Sequence, residues 1–389
     1  MHIRTIGRDR LKTSLFGFGC MRLPLLVQPD GSTHHAQIDE TEAIRMIRCA
    51  IDHGVTYFDT AYTYHQGNSE RVLGKALLDG YREKVLLATK SPSWQISRYE
   101  DFGHLLNEQL ERLQTDAIDF YLLHSLNEEV WNKVRQVGAL EFLDEAKKSG
   151  KIKHAGFSFH DQLHVFKQII DSYPWDMCQI QLNIIDEHAQ AGVEGMFYAA
   201  ERDISVVIME PLRGGALAQK VPADIKAVWD QAPVKRSPAE WAFRWLADFP
   251  QISVILSGVS TMEQLKDNIR IFSEETLTLT PEEKELIKQV QNLYQKKIQV
   301  GCTGCNYCMP CPSGVSIPDI FRLYNQAFLY DDFEGSKKSY LRLIENKSDA
   351  SLCIACGQCE SLCPQEIPIR EKINEIHPYF IGNEQRTDV

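Results

Sequence analysis

Apolar runs bounded by turn residues alternate along this chain with stretches of helical period. LFGFGCMRL, Leu15–Leu23, reads as a first strand. Glu40–Ile51 predicts a helix, with Ile44, Ile47 and Ile51 on one face at three- and four-residue spacing. Val55, Tyr57 and Phe58 then end a second strand, followed by a helix from Ser69, the strand KVLLATK ending at Lys90, and a helix from Asp101. IDFYLLH ends at His124 and leads into a helix predicted over Val130–Ser149. IKHAGFSF, MCQIQLN, ISVVIMEPL and ISVILSG supply four more strands, with helical segments near Gln162, Val193, Pro238 and Met262. Strands this continuously apolar are buried on both faces, and eight strand–helix units in about 270 residues close most simply as an α/β fold of the (β/α)8 TIM-barrel type.

The helix Pro281–Lys297 opens on proline and has glutamates in its first turn, which suits the positive end of its dipole. It closes the barrel region, so a first domain is expected over 1–300 and a second over 301–389. Between the cysteine runs of that second module, Pro318–Ala327 and Gly335–Asn346 read as helices.

Composition narrows the partners. At 389 residues and 43% hydrophobic, the chain can build a large core, and its formal net charge of −11 excludes nucleic acid or an anionic membrane surface as the main partner. No stretch approaches the roughly 18 uncharged apolar residues of a membrane span, and MHIRTIGRDR lacks the apolar core of a signal peptide. A cytoplasmic location is the expectation.

The stretch VTYFDTAYTYHQGNSE, Val55–Glu70, passes from an apolar run to a carboxylate and a phenol at a strand's C-terminal end, where α/β proteins place their chemistry. In strand order the polar residues at successive ends are Asp59 with Tyr64, then Lys90, then His124. A phenol has an ordinary pKa near 10, so it donates a proton at neutral pH when a cation stabilises its phenolate. Lys90 can be that cation, Asp59 can hold Lys90 charged, and His124 can polarise a carbonyl oxygen. Singly, each has a plain structural reading as core histidine, surface lysine or helix cap; four in order on successive strands argue for a site. Such a set protonates an alkoxide as it forms and needs a hydride donor beside it. His65, His154 and His160 read as loop or surface residues, and Cys20, Cys49 and Cys178 as core thiols.

FDTAYTY, LATK and YLLH together resemble the catalytic signatures of the aldo-keto reductases, NAD(P)H-dependent (β/α)8 enzymes, over roughly Arg4–Val300, with the Ser69-Glu70 and LGKAL pattern included. The resemblance implies Asp59, Tyr64, Lys90 and His124 as the catalytic tetrad, with Tyr64 the general acid, acting on a small-molecule aldehyde or ketone. It also implies that Ser158 and Gln179 hold the nicotinamide carboxamide, Arg213, Gly214 and Gly215 lie near the pyrophosphate, and Gly258, Ser260, Gln264 and Asn268 take the adenosine end. Three departures stand out. Phe159 occupies a position where many members have Asn, Met209 one where many have an aromatic that stacks on nicotinamide, and the neutral Ser260 and Gln264 replace basic residues that often grip a 2′-phosphate. The choice between NADP(H) and NAD(H) is therefore left open. Leu25–Asp39 and Leu126–Val130 are loops that would shape the substrate pocket.

Of 11 cysteines, eight crowd into CTGCNYCMPCP and CIACGQCESLCP. Without an export signal this crowding points to metal or cluster ligation before disulfides. The second run, Cys353, Cys356, Cys359 and Cys363, has the C-x2-C-x2-C-x3-C-P spacing with which bacterial-type ferredoxins bind [4Fe-4S] clusters. In the first run, Cys302, Cys305, Cys308 and Cys311, the step to Cys-Pro is one residue shorter. That is tolerable if the cysteine before proline serves the distant cluster. Two clusters are thus expected, one on Cys302, Cys305, Cys308 and Cys363, the other on Cys353, Cys356, Cys359 and Cys311. Paired Zn(Cys)4 sites are the alternative, but zinc gives no reason for Cys-Pro after each run. Ile317-Pro318 and Ile367-Pro368 support an internal duplication, and the module resembles helical two-cluster ferredoxins.

Hydride moves two electrons together, whereas each cluster moves one, and no flavin signature is found to split the pair. Three functions follow: a carbonyl reductase with structural or regulatory clusters, an iron–sulfur relay coupling a partner flavoprotein or ferredoxin to a barrel-bound substrate, and a non-catalytic nicotinamide-sensing module.

Overall fold

The computed structural model describes residues 1–304, 306–363 and 365–382. Eight parallel strands close a barrel in chain order: β1 Phe16–Gly19, β2 Tyr57–Asp59, β3 Leu86–Ser91, β4 Ile118–Leu126, β5 Ile152–Phe159, β6 Met177–Gln181, β7 Ser205–Met209 and β8 Ile252–Ser257, with β8 pairing back to β1. The register is set where the chain permits close approach. A Cβ on Gly17 would lie 2.5 Å from Val254 Cγ1 and 2.8 Å from Leu256 Cδ2, so only glycine lets β1 seat beside β8. Tyr57, Phe120, Leu122, Met177, Val207 and Val254 fill the interior with no exposed surface. This is the packed core expected of such barrels, not a pore.

Two hairpins escaped the apolar periodicity because their strands are short, none longer than 6 residues. Ile3–Ile6 pairs antiparallel with Leu11–Ser14, and Ile6 joins the barrel's interior core. Leu25–Val27 pairs with Thr33–Ile38, inside the loop expected to shape the pocket. The helix expected over Val130–Ser149 is two helices, Glu128–Gln136 and Ala139–Lys148. Gly138 between them has φ +96°, a left-handed conformation that ends the first helix.

By its packing the chain forms two compact units, one of residues 1–214 with 239–280, the other of 215–238 together with the chain from Pro281 onward. The helix Pro281–Lys297 has the predicted bounds but belongs to the second unit, because it packs on Ala223–Trp229 and Ile317–Leu329. In that unit Ile317–Leu329, Phe333–Glu345 and Ile369–Ile381 surround a core of Ile320, Phe321, Tyr340, Ile373, Ile376 and Phe380. Among the described residues no helix is long and apolar enough to cross a membrane.

Candidate active site and cysteine cavities

The strand ends bring Asp59, Lys90, Tyr64 and His124 together. Asp59 is the last residue of β2, Lys90 lies near the end of β3, His124 near the end of β4, and Tyr64 on the turn leaving β2. Lys90 has no exposed surface. Its Nζ donates to Asp59 Oδ1 at 2.6 Å, to the Thr60 carbonyl at 2.8 Å and to Tyr64 Oη at 3.4 Å. The His124 ring meets the Tyr64 ring edge-on at 6.0 Å between centroids. The exposed Trp94, 5.2 Å from the His124 ring, supplies an apolar wall that the sequence did not single out.

Burial alone would lower the Lys90 ammonium, but Asp59 and then Tyr64 outweigh it and hold the ammonium above its ordinary range. Burial raises the Asp59 carboxyl, with Lys90 pulling it back. Tyr64 differs in sign from the sequence expectation. Burial pushes its phenol above the ordinary range, and Lys90 offsets this only in part. Burial and the nearby Lys90 hold His124 well below the usual imidazole range, so it is neutral at physiological pH.

His65, expected at the surface, is buried. Its Nδ1 pairs with the His35 carbonyl at 2.7 Å and its Nε2 accepts from the Leu23 N–H at 3.2 Å. This ties the 25–38 hairpin to the turn carrying Tyr64. Cys20 and Cys178 are core thiols as expected, with burial pushing both far up; Cys49 is half-buried.

The donor set suits a nicotinamide carboxamide. Among the described residues Gln179 Oε1 is buried without a hydrogen-bond partner, and Gln179 Nε2 reaches the Met209 thioether, at 3.7 Å. That amide has one acceptor and one weakly used donor to offer. Ser158 Oγ accepts from the Ser125 N–H at 2.7 Å, leaving its own proton to donate. Phe159 is buried and packs edge-on to Phe166 at 5.2 Å, so it serves the helix layer.

Farther out, Arg213 pairs with Asp186 at 3.1 Å. Ser260 N–H donates to Gln264 Oε1, Ser260 Oγ donates to the Arg22 carbonyl, and Asn268 is buried against Ser257. Gly215 opens the segment that packs with the second unit. Sequence reasoning missed Arg22. A Cβ on Gly214 would lie 2.9 Å from its Nη2, and one on Gly258 3.3 Å from its Cβ. The exposed Arg22 thus borders both glycines expected to face the dinucleotide, Gly214 with its guanidinium and Gly258 with its stem. Its signal was the lone cation in the otherwise uncharged LFGFGCMRL stretch.

In the second unit the cysteines surround two cavities. One is lined by Cys308 and Cys311 from the first run and Cys353, Cys356 and Cys359 from the second. The other is lined by Cys302, Cys308 and Cys363. The structure thus brings Cys311 to the second run and Cys363 to the first. Cys305 lies outside the described residues, as does Pro364. Apolar walls from Val315, Ile317, Phe321, Ile369 and Ile373 fit a large, sulfur-bridged group.

An ion-paired lysine, a phenol and a neutral imidazole thus gather at successive strand ends of a (β/α)8 barrel. The aldo/keto reductase family model matches residues 17–292, and the chain belongs to that family. A 4Fe-4S dicluster domain matches residues 301–367. The oxidoreductase YqkF of Bacillus subtilis (strain 168) is 26% identical over 75% of this chain and 96% of its own length. Aldo-keto reductase YhdN of the same organism is 31% identical over 57% of this chain and 65% of its own. The solved holo form of aldo-keto reductase AKR11C1 from Bacillus halodurans superposes with a TM-score of 0.63 at 27% identity, covering 75% of this chain and 96% of that one.

Proposed function

We propose that this chain reduces a small-molecule aldehyde or ketone to an alcohol with NADPH or NADH, in a protein that also carries two [4Fe-4S] clusters. The observation that carries this reading is the fully buried Lys90 ammonium, 2.6 Å from Asp59 Oδ1 and 3.4 Å from Tyr64 Oη. The bound nicotinamide would supply a hydride to the carbonyl carbon. Tyr64, protonated across the neutral range, gives its proton to the carbonyl oxygen as negative charge grows there. Lys90, held charged by Asp59, stabilises the phenolate that remains. Neutral His124 donates a hydrogen bond to the same oxygen. Gln179 and Ser158 hold the carboxamide, Arg213, Gly214 and Arg22 the phosphates, and Gly258, Ser260, Gln264 and Asn268 the adenosine side.

The test is turnover of anaerobically purified protein on a panel of aldehydes and ketones, followed as NADPH or NADH oxidation. Tyr64→Phe should lower kcat on the order of 10²- to 10⁴-fold with little change in dinucleotide affinity. Turnover indifferent to that substitution would overturn the reading. For the clusters, Cys302, Cys305, Cys308 and Cys363 would hold one and Cys353, Cys356, Cys359 and Cys311 the other. Iron and sulfide content, with visible absorbance that bleaches on dithionite addition, tests them.

A second reading, the electron relay, is favoured by one observation. Cys356 is exposed, and Ile354 and Leu362 beside the cluster cysteines are 70% and 57% exposed, an apolar rim a redox partner could cover. Cluster EPR signals unchanged by NADPH, carbonyl substrate and a reduced ferredoxin or flavoprotein would exclude it.

A further inference from the structure

Tyr64 sits on a turn with little regular structure to hold it. His65 and Gln66 have φ +51° and +56°, Gly67 has φ +89°, and these left-handed residues follow the tyrosine directly. The site nevertheless requires the phenol to stay within reach of Lys90, which belongs to a different strand. The two are joined behind the site by Glu70 on the helix Asn68–Ala76 and by Gln109 and Arg112 on the helix Tyr99–Leu113.

Glu70 is buried, and its two oxygens face different ways. Oε1 accepts from Thr89 Oγ1 and from Gln109 Nε2, both at 2.7 Å. Gln109 Nε2 also donates to the carbonyl oxygen of Lys90 at 3.1 Å, and its Oε1 accepts from Tyr121 Oη at 2.8 Å. That half grips β3 at the residue bearing the ammonium. Glu70 Oε2 accepts from Arg112 Nη1 at 3.1 Å, and the same Nη1 donates to the Tyr62 carbonyl at 3.1 Å. The guanidinium lies over the Tyr62 ring at 4.1 Å, and a Cβ on Gly67 would stand 3.0 Å from Nη1. That half grips the turn on both sides of Tyr64.

We propose that Gln109, Glu70 and Arg112 form a joint that sets the separation of Lys90 Nζ and Tyr64 Oη, so that Glu70 is a positioning residue for proton transfer although it touches neither substrate nor dinucleotide. The proposal rests on the reading of Tyr64 as general acid. Its physical content is rigidity. Each half of the joint is a charge-assisted or multiply shared hydrogen bond ending on the buried Glu70 carboxylate, and releasing either half leaves one of its oxygens without its partners. The Lys90–Tyr64 contact is the longest that the ammonium makes, so a small drift of the turn would loosen it first.

Glu70→Gln tests this at constant volume. The amide must turn its N–H group toward Arg112 or toward the Gln109 Nε2 donor, donor facing donor, so one half of the joint opens. In the full-length, cluster-loaded protein kcat should fall on the order of 10- to 100-fold, with KM and dinucleotide affinity nearly unchanged. A second readout is independent of turnover. With ¹³Cζ-labelled tyrosine, the NMR resonance lost in Tyr64→Phe reports the ionisation of Tyr64. Loosening from Lys90 should move that ionisation upward by about half a unit or more. A merely structural role would lower the melting temperature and leave both the Tyr64 titration and the kcat-against-KM split in place. Gln109→Met, which keeps the volume and removes the donor to Lys90, carries the same test if Glu70→Gln does not fold. A folded variant with an unmoved Tyr64 titration overturns the joint. Wild-type turnover that survives Tyr64→Phe overturns the general-acid reading instead, and the two failures are thereby distinguished.

Discussion

Lys90 Nζ is 2.6 Å from Asp59 Oδ1 and 3.4 Å from Tyr64 Oη, so the ammonium is anchored on the carboxylate and acts on the phenol at longer range. Asp59 Oδ2 is buried and has no hydrogen-bond partner among the described residues. The carboxylate therefore depends on Lys90 for its compensation. Lys90→Met should lower stability by about 3–5 kcal/mol, measured by urea denaturation, because it leaves a buried charge unpaired. Adding Asp59→Asn should restore most of the loss. A Lys90→Met variant as stable as the parent would mean that the pair is not ionised.

The pH profile should be broad. Burial and Lys90 depress His124, so it stays neutral to well below about 6.5, and burial raises Tyr64 above about 10. The kcat/KM profile should accordingly lack a limb between those values. A limb there that Tyr64→Phe or His124→Gln abolishes would contradict the assignment. Stability follows by linkage. The unfolded chain protonates His124 first, so its contribution is present above about 6.5 and is lost progressively as the pH falls.

Arg22 is expected to contact the dinucleotide phosphates because its guanidinium borders Gly214 and its stem crosses Gly258. Arg22→Ala should weaken NADPH and NADH binding on the order of 10-fold, read by nucleotide fluorescence, with little change in melting temperature. Unaltered affinity for both would remove Arg22 from the site.

Cysteine substitutions should divide the iron into two halves. Cys356→Ala is expected to reduce the iron of anaerobic protein from about eight to about four per chain. Cys311→Ala should deplete the same EPR signal as Cys356→Ala, and Cys363→Ala the same one as Cys302→Ala. The reverse pattern would contradict the exchange of ligands between the two runs.

The barrel was legible because its strands are apolar through their whole length and their helices carry clear three- and four-residue stripes. All eight strands lie where those runs predict, and the residues at three successive ends converge as their order implied. What the sequence hid has particular causes. Gly138 divides a helix without interrupting its apolar stripe on either side. The hairpin at 25–38 has too few apolar residues to carry an alternation, and with it went the burial of His65, whose partners are backbone atoms that leave no trace in side-chain pattern. Glu70 and Arg112 are charged residues on amphipathic helices, and their hold on β3 and on the turn carrying Tyr64 depends on tertiary contacts that helical periodicity does not encode. The sign of the Tyr64 shift was missed because proximity to a cation is visible in a motif, whereas the depth of burial is not.

The chain enters its second compact unit twice, at 215–238 and again from Pro281. The cluster-bearing unit is therefore no detachable tail. Cutting at Val300 would remove Ile317–Leu329, one of the two helices on which Pro281–Lys297 packs. A graft of the cluster module onto another barrel of the family would have to carry two separate pieces of sequence. One of them is the connection that follows β7, so the module and that connection have to be exchanged as a set.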